Sequence, residues 1–141
     1  MERRTLTLLV VLAAMVALST AKVYSRCGLA KALKAQGFPS SQLSNWVCLV
    51  ESESSRNTAA KGGPNTDGSY DYGLFQINSR YWCGLNKAGG DCNLTCNSLL
   101  DNDISNDSAC AKKIHSRQGF SAWYGWQNKC KGKKLPDVSK C

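Results

Sequence analysis

Histidine, proline and long apolar runs are scarce in this chain of 141 residues. The single histidine argues against a zinc site, because structural zinc sites draw on clustered cysteine and histidine. No repeat, charge block or linker rich in proline and serine interrupts residues 22–141, which predicts one compact domain. The longest apolar stretch, residues 6–17, is too short to span a bilayer comfortably.

Residues 1–21 have the pattern of a secretion signal. Arg3 and Arg4 precede the apolar stretch, and small residues at 19–21 offer a cleavage site before Lys22. We therefore expect a secreted, extracellular protein whose mature domain is residues 22–141. A retained membrane anchor is the alternative.

Basic residues outnumber acidic ones, by 18 to 10 in the whole chain and by 16 to 9 in residues 22–141. Such a charge favours anionic partners such as cell envelopes, lipid head groups or nucleic acid. No RNA-binding signature, zinc-finger spacing or arginine-rich run supports nucleic acid. The charge indicates attraction to an anionic surface, or it serves solubility alone.

All eight cysteines lie after residue 21, and an even number in a small secreted protein predicts four disulfides. The sequence alone leaves every pairing of the eight open. The spacing of Cys92 and Cys96 also occurs in zinc sites, but an oxidising compartment favours disulfides.

Hydrophobic spacing predicts helices at residues 26–36, from Ser40 or Ser41 to Ser54, at 105–115 and at 122–129. Ser40 or Ser41 would cap the second helix. A turn at 65–68 and mixed polar and aromatic residues at 69–74 predict a small antiparallel sheet between the helices. The expected fold is α+β in two lobes, one mostly helical, with a cleft between them.

Two glutamates lie near the end of the predicted second helix. Glu53 follows Trp46, Leu49 and Val50 at helical spacings and therefore shares their face. This spacing favours Glu53 over Glu51 as the buried residue without deciding between them. Burial would raise the pKa of the carboxyl group, which could then donate a proton near neutral pH.

A third acidic residue, Asp71, lies between Tyr70 and Tyr72 in a polar segment whose hydrogen-bond donors would keep it ionised. One protonated and one ionised carboxyl group form the pair that hydrolyses a glycosidic bond. The alternative is an exposed helix-end glutamate and an ordinary turn aspartate. Asp67, which precedes Gly68, is explained by turn formation alone.

Four aromatic residues could stack on sugar rings or fill the core: Tyr81, Trp82, Trp123 and Trp126. We expect Trp126 in the core. Tyr81 and Trp82 adjoin a region rich in glycine and asparagine, where a binding surface and a core position are both open.

A set of specific motifs spans residues 22–141: residues 45–48 with Glu53 five positions on, 65–73 with Asp71, 76–83, 110–114, 122–126 and all eight cysteines. Together these motifs resemble the c-type lysozymes, a family of glycoside hydrolases. Residues 118–126 are most similar to the insect members.

The resemblance implies hydrolysis, with retention, of the β-1,4 bond between N-acetylmuramic acid and N-acetylglucosamine in peptidoglycan. Glu53 would be the general acid and then the general base, and Asp71 the nucleophile or ion-pair stabiliser. Trp123 would be the apolar neighbour of Glu53. The implied sugar-binding residues are Asn65, Gln76, Asn78, Tyr81, Trp82, Ala122 and Trp123. The implied disulfides are Cys27–Cys141, Cys48–Cys130, Cys83–Cys96 and Cys92–Cys110.

Three residues depart from the family pattern. Gly28 replaces a usual glutamate, which should lower helix stability slightly and leave catalysis unaffected. Tyr81 replaces a frequent tryptophan, which should alter sugar stacking. Arg117 stands where some relatives carry an acid that binds the far end of the cleft, so the resemblance does not define the outer subsites.

The same family includes calcium-binding members, whose loop resembles residues 98–107. Asp101, Asn106 and Asp107 match its side-chain ligands, while Ser98 and Asp103 would offer carbonyl oxygens. Asn106 replaces an aspartate, which lowers the charge available to Ca²⁺. We expect no metal and no cofactor, and read the segment as a solvated loop before an acidic helix N-terminus.

The expected function is therefore that of a monomeric, antibacterial muramidase that binds peptidoglycan and anionic envelope surfaces and does not bind nucleic acid. One alternative is a non-enzymatic, cationic, membrane-active antimicrobial protein. Another is a calcium-binding module, similar to the lactalbumins, that has lost catalysis. Asn93-Leu94-Thr95 and Asn106-Asp107-Ser108 are N-glycosylation sequons, and a glycan on Asn106 would exclude calcium there.

Overall fold

The computed structural model describes residues 21–141. The predicted secretion signal lies outside the described residues apart from its last residue. The helices are α1 (Arg26–Ala35), α2 (Leu43–Ser54), α3 (Ser105–Gln118) and α4 (Tyr124–Lys129), and the strands are β1 (Lys61–Gly62), β2 (Asp71–Tyr72) and β3 (Ile77–Asn78). Short 3₁₀ turns occur at Ser40–Gln42, Cys96–Leu99 and Phe120–Ala122. This arrangement confirms the predicted α+β fold.

Helix α1 begins with a side-chain cap. The Ser25 hydroxyl accepts a hydrogen bond from the Gly28 N–H at 3.0 Å, which satisfies a donor that the first helical turn leaves unpaired. Leu29, Ala30 and Leu33 are buried. Gly37 follows the helix at a φ of +83°, a left-handed conformation that glycine adopts without strain.

The predicted serine cap of helix α2 is wrong. Ser40 and Ser41 belong instead to a 3₁₀ turn, and the helix starts at Leu43 without a side-chain cap. Pro39 fixes the backbone just before this turn, and its carbonyl accepts from the Gln42 N–H at 3.0 Å. The chain therefore enters the helix through backbone hydrogen bonds, which make a hydroxyl cap unnecessary.

Helix α2 is the main support of the core. Its buried residues include Trp46, Leu49 and Val50, the three whose spacing favoured Glu53. The Trp46 ring makes edge contacts with the rings of Phe75 and Trp123. Since Phe75 comes from the segment before β3 and Trp123 from the segment before α4, this cluster joins the sheet to the helical part of the molecule.

The sheet is antiparallel in the order β1-β2-β3, with Asp71 paired to both Gly62 and Asn78. Its strands have two residues each and are shorter than the predicted 69–74. A turn with left-handed residues at Gly73 and Gln76 ends the second strand early. Asp71 thus lies on the central strand, with neighbours on both sides.

The two later helices differ from the prediction at one end each. Helix α3 continues to Gln118 instead of ending near 115, and α4 starts at Tyr124 because Phe120–Ala122 forms a separate 3₁₀ turn. Within residues 21–141, no helix is long and apolar enough to cross a membrane.

Four disulfides cross-link the described residues, and they are the four pairs that the resemblance implies. They join Cys27 to Cys141, Cys48 to Cys130, Cys83 to Cys96 and Cys92 to Cys110. The first closes a loop over 114 positions, and the last ties the loop after β3 to helix α3.

Candidate active site

An open groove of about 860 Å³ runs between the sheet and the helices. Its walls are the end of α2, strands β2 and β3 with the turn at 64–69, one face of α3 and the segment entering α4. The nine residues assigned to catalysis or sugar binding from the sequence all line it: Glu53, Asn65, Asp71, Gln76, Asn78, Tyr81, Trp82, Ala122 and Trp123. Residues distant in sequence therefore converge on one sugar-sized groove.

Glu53 is the penultimate residue of α2 and is partly buried. Its Oε1 accepts a hydrogen bond from the Gly125 N–H at 2.8 Å. Burial raises the pKa of this carboxyl group, the Gly125 hydrogen bond lowers it, and the negative charge of Asp71 raises it further. The net upward shift favours the protonated form that a general acid needs.

The side chain of Glu51 contacts two arginines instead of the groove. The structure therefore decides which of the two glutamates faces the candidate site, a choice that the sequence left open. Arg26 donates to both Glu51 carboxylate oxygens at 3.0 and 3.1 Å, and Arg56 lies 3.3 Å from Oε2. Glu51 is not among the residues that line the groove. Its ionised form is paired, and only Glu53 of these two faces the candidate site.

Asp71 is held by two amide side chains. Asn65 Nδ2 donates to Oδ2 and Asn78 Nδ2 donates to Oδ1, each at 3.0 Å. Both amides also donate to the Ser69 hydroxyl, at 3.1 and 2.9 Å, which fixes their orientation. Two oxygens that each accept from an amide are the arrangement expected of an ionised carboxylate.

The remaining amide, Gln76, supports the turn between β2 and β3. Its Nε2 donates to the carbonyl oxygens of Ala60 and Gly73 at 3.1 and 3.0 Å. Gln76 therefore fixes the groove wall, while Asn65 and Asn78 position Asp71.

Asp67 also lines the groove, but its turn accounts for it. Its Oδ1 accepts from the N–H and hydroxyl of Ser69 at 2.9 and 2.5 Å, and Arg80 lies 3.2 Å from Oδ2. The Ser69 hydrogen bonds, with a smaller contribution from Arg80, lower the pKa of Asp67 to about 2. This carboxylate is ionised and is a poor proton donor.

The aromatic residues of the groove fall into two groups. Trp82 and Trp123 are only 7% and 5% exposed, and the Trp123 indole N–H donates to the Phe75 carbonyl at 2.8 Å. Tyr81 and Tyr124 are 57% and 79% exposed, so a ligand in the groove would find more aromatic surface on these two tyrosines than on the two tryptophans. Trp126 packs against the core and donates to the Asn45 side chain at 3.0 Å, away from the groove lining.

Ten of the nineteen residues that line the groove were not assigned to it from the sequence, among them Tyr124 and Gly125. A Cβ at position 125 would lie 2.5 Å from Glu53 Oε1, so only glycine lets the backbone approach the carboxyl group this closely. The Tyr-Gly pair between Trp123 and Trp126 was visible, but nothing local indicated a contact with a residue 72 positions earlier.

The family profile for C-type lysozyme/alpha-lactalbumin matches residues 22–141, the whole of the predicted mature domain. The chain belongs to this family. Its members named lysozyme include one that is 56% identical to this chain, so the chain is a glycoside hydrolase of the lysozyme class. This confirms the enzyme class that the motifs predicted.

Insect lysozymes are among the similar relatives. The chain is 56% identical over 121 residues to a lysozyme of Galleria mellonella, covering 85% of this chain and 100% of that one. It is 50% identical over 135 residues to lysozyme c-1 of Anopheles gambiae, covering 96% of each. The crystal structure of a lysozyme from Equus asinus matches with a TM-score of 0.71 and 47% identity, over 80% of this chain and 92% of that chain.

A further solved relative is titled a calcium-binding lysozyme from equine milk; it matches with a TM-score of 0.74 and 47% identity, over 84% of this chain and 95% of that chain. The corresponding residues here do not fit a calcium ion. Asn106 Nδ2 donates to the Ser98 carbonyl at 3.0 Å, while its Oδ1 accepts from the Asp107 N–H at 3.0 Å. Since a backbone carbonyl only accepts and an N–H only donates, this orientation of the amide is fixed.

The other two matched side chains, Asp101 and Asp107, lie close enough that, beyond the effect of burial, the charge of Asp101 raises the pKa of Asp107. Asp101 accepts from the Asp103 N–H at 3.2 Å, and the buried side chain of Asp107 lies against Gly73. Among residues 21–141, no group of three or more histidine, cysteine, aspartate or glutamate side chains is placed to hold a metal. An amide donor therefore occupies the carbonyl that a cation would need.

Proposed function

We propose that this lysozyme-family protein is a secreted muramidase that cleaves the β-1,4 bond between N-acetylmuramic acid and N-acetylglucosamine in peptidoglycan and acts against bacteria. The observation that carries the proposal is the pair of carboxyl groups in one groove. Glu53 is partly buried with a raised pKa, whereas Asp71 accepts two amide hydrogen bonds. Retaining glycosidases divide the roles of their carboxyl groups in this way, and lysozyme is the type case.

In the first step, protonated Glu53 donates its proton to the glycosidic oxygen as the bond from that oxygen to the anomeric carbon breaks. The Asp71 carboxylate, held by Asn65 and Asn78, attacks the anomeric carbon or stabilises its positive charge. In the second step, water attacks the same carbon, and ionised Glu53 accepts the water proton. Two displacements leave the configuration of the sugar unchanged.

The charge balance supports the proposed partner and site of action. With 16 basic and 9 acidic residues, the predicted mature domain is attracted to the anionic polymers of a bacterial envelope. We propose that it acts there as a monomer outside the cell. This attraction should weaken as salt concentration rises, because added ions screen exposed charges.

The decisive experiment compares Glu53→Gln with the matched control Glu51→Gln. Both changes remove one carboxylate from the same helix, but only position 53 lies in the groove. We expect Glu53→Gln to lower the release of reducing ends from purified peptidoglycan by about 10²- to 10⁴-fold, the usual contribution of a general acid. Glu51→Gln should retain the rate, and circular dichroism should show both variants folded.

Product stereochemistry tests the retaining step separately. Proton NMR during hydrolysis of a peptidoglycan oligosaccharide should show the β-anomer of the new reducing end first. Initial formation of the α-anomer would refute the role of Asp71 as nucleophile, and an undiminished rate for folded Glu53→Gln would refute the acid.

The same charge also favours a second candidate, a non-enzymatic cationic agent that disrupts membranes. Bacterial killing by folded Glu53→Gln discriminates between the two. Wild-type potency in this variant would support membrane disruption, whereas loss of potency together with hydrolysis supports the muramidase.

A further inference from the structure

A second groove, of about 370 Å³, lies beside a different face of helix α3 and shares no residue with the catalytic groove. It is lined by Cys92, Asn93, Leu94, Asn106, Ala109, Cys110 and Lys113. Both sequon asparagines, Asn93 and Asn106, are among these residues. A sequon is used in a folded secreted protein only where the fold leaves room for the attached sugar, so the two can be compared directly.

In the sequon at Asn106, the asparagine side chain is hydrogen-bonded within the fold and the serine is buried. Asn106 Nδ2, the atom that would carry a sugar, donates to both the carbonyl and the hydroxyl of Ser98, at 3.0 and 3.1 Å. Asn106 itself is only partly exposed, and the hydroxyl residue of its sequon, Ser108, is 1% exposed. A sugar on this nitrogen would replace one of its two hydrogens and occupy the space where Ser98 lies.

The sequon at Asn93 has the opposite properties. Asn93 is exposed in a turn, where its backbone has a φ of +51° and its N–H donates to the Gly90 carbonyl at 3.0 Å. Its side chain makes no hydrogen bond to any residue of 21–141. The Cys92–Cys110 disulfide fixes the turn beside an open groove, so Nδ2 can carry a substituent without displacing another group.

We propose that Asn93 carries an N-linked oligosaccharide and that Asn106 does not, an inference that rests on the proposed secretion. The donor is a lipid-pyrophosphate-linked oligosaccharide of the secretory compartment. A bond forms between Asn93 Nδ2 and the anomeric carbon of the first sugar while the bond from that carbon to the pyrophosphate oxygen breaks. The pyrophosphate leaves with the electron pair, and the amide nitrogen loses one proton to a base of the transferring enzyme.

The position of Asn93 also predicts the effect of the glycan. Helix α3 turns Ile114 and Gln118 towards the catalytic groove, whereas Asn106, Ala109 and Lys113 face the second groove. A sugar attached at Asn93 therefore starts from a groove that shares no lining residue with the one that holds Glu53 and Asp71. It should add mass and solubility without blocking access of peptidoglycan.

The test is expression of the full chain in a eukaryotic secretory host, as wild type, Asn93→Gln, Asn106→Gln and Ser108→Ala. Glycopeptide mass spectrometry and electrophoresis before and after peptide-N-glycosidase treatment report occupancy. We expect one glycan on most secreted molecules of the wild type and of both variants of the second sequon, and none on Asn93→Gln. Ser108→Ala removes the Asn106 sequon and leaves the Asn106 hydrogen bonds in place. It therefore replaces Asn106→Gln in the comparison if that variant fails to fold.

The possible failures are distinguishable. Secreted, active protein without a glycan would overturn the proposed modification alone. A glycan found at Asn106 would overturn the argument that the fold leaves room for a sugar at Asn93 and not at Asn106. Active protein that stays inside the cell without a glycan overturns both the modification and the proposed secretion. Glycosylated and enzymatically deglycosylated protein should cleave peptidoglycan at equal rates, and a faster rate after deglycosylation would contradict the placement of the glycan outside the catalytic groove.

Discussion

Gly125 offers a test of how closely the backbone must approach the proposed acid. In Gly125→Ala the new Cβ would lie 2.5 Å from Glu53 Oε1 and 3.1 Å from its Cδ, where ordinary contacts begin at 3.4 Å. The oxygen must therefore shift by about 0.9 Å, or its hydrogen bond with the Gly125 N–H must break. Misplacement of a reacting group by about 1 Å costs on the order of 10²-fold in rate.

Stability should change much less than rate. Gly125 has no positive φ, so alanine can adopt its backbone conformation, and alanine is favoured over glycine in a helix by about 1 kcal/mol. This gain opposes the cost of the crowded contact with Glu53 and with the Ser52 Cβ at 3.2 Å. We expect a thermal midpoint close to that of the wild type and a kcat about 100-fold lower.

Gly28→Ala is the matched control, because it also adds a methyl group to a helical glycine without a positive φ. Its Cβ would meet the Ser25 hydroxyl at 2.8 Å, far from the groove. Peptidoglycan hydrolysis should be measured with both variants alongside thermal unfolding. A folded Gly125→Ala enzyme with an unchanged kcat would refute the argument that this backbone contact positions Glu53.

Three further predictions concern stability and binding. Burial raises the pKa of Asp107 to about 8, so the folded state keeps a proton that the unfolded state loses above about pH 4. The free energy of unfolding should therefore fall as pH rises from about 4 to about 8, and urea titrations should show that Asp107→Asn flattens this slope; an unchanged slope would contradict the assignment. Replacing Cys27 and Cys141 together by alanine should cost about 5 kcal/mol of unfolding free energy, since their bridge closes a loop over 114 positions, and a loss below about 1 kcal/mol in denaturant titrations would contradict this. Tyr124→Ala should raise KM for oligosaccharides by about 2- to 10-fold through lost stacking, while Tyr124→Phe should not; equal KM values would remove Tyr124 from the binding surface.

Local sequence patterns predicted which helices and strands carry the site. They were less accurate about the residues at which those elements begin and end. The spacing of Trp46, Leu49 and Val50 located the buried face of α2, and Glu53 shares that face. Hydrophobic spacing does not report which backbone groups are already hydrogen-bonded. The serine cap before α2 was therefore wrong, because the turn after Pro39 takes over that role.

The long-range contacts of the candidate site were beyond local reasoning. The resemblance to the family predicted that Asn65 and Asn78 line the groove. The structure adds that both side chains donate a hydrogen bond to Asp71. The contact from Gly125 to Glu53 joins residues 72 positions apart, and no spacing rule reaches that far. Similarly, Asn106 could be matched to a calcium ligand by position, whereas only its hydrogen bonds show that the amide faces Ser98 as a donor.

The most direct test of the mechanism is a carbon-13 NMR titration of the Glu53 carboxyl group, compared with the pH dependence of kcat/KM. Because partial burial disfavours the charged form, Glu53 should titrate above the usual range of a glutamate. The rate should fall as pH rises through that same pKa, since the general acid is then lost. A Glu53 carboxyl group that titrates within the usual range, or a rate that persists after it has ionised, would contradict the proposed acid.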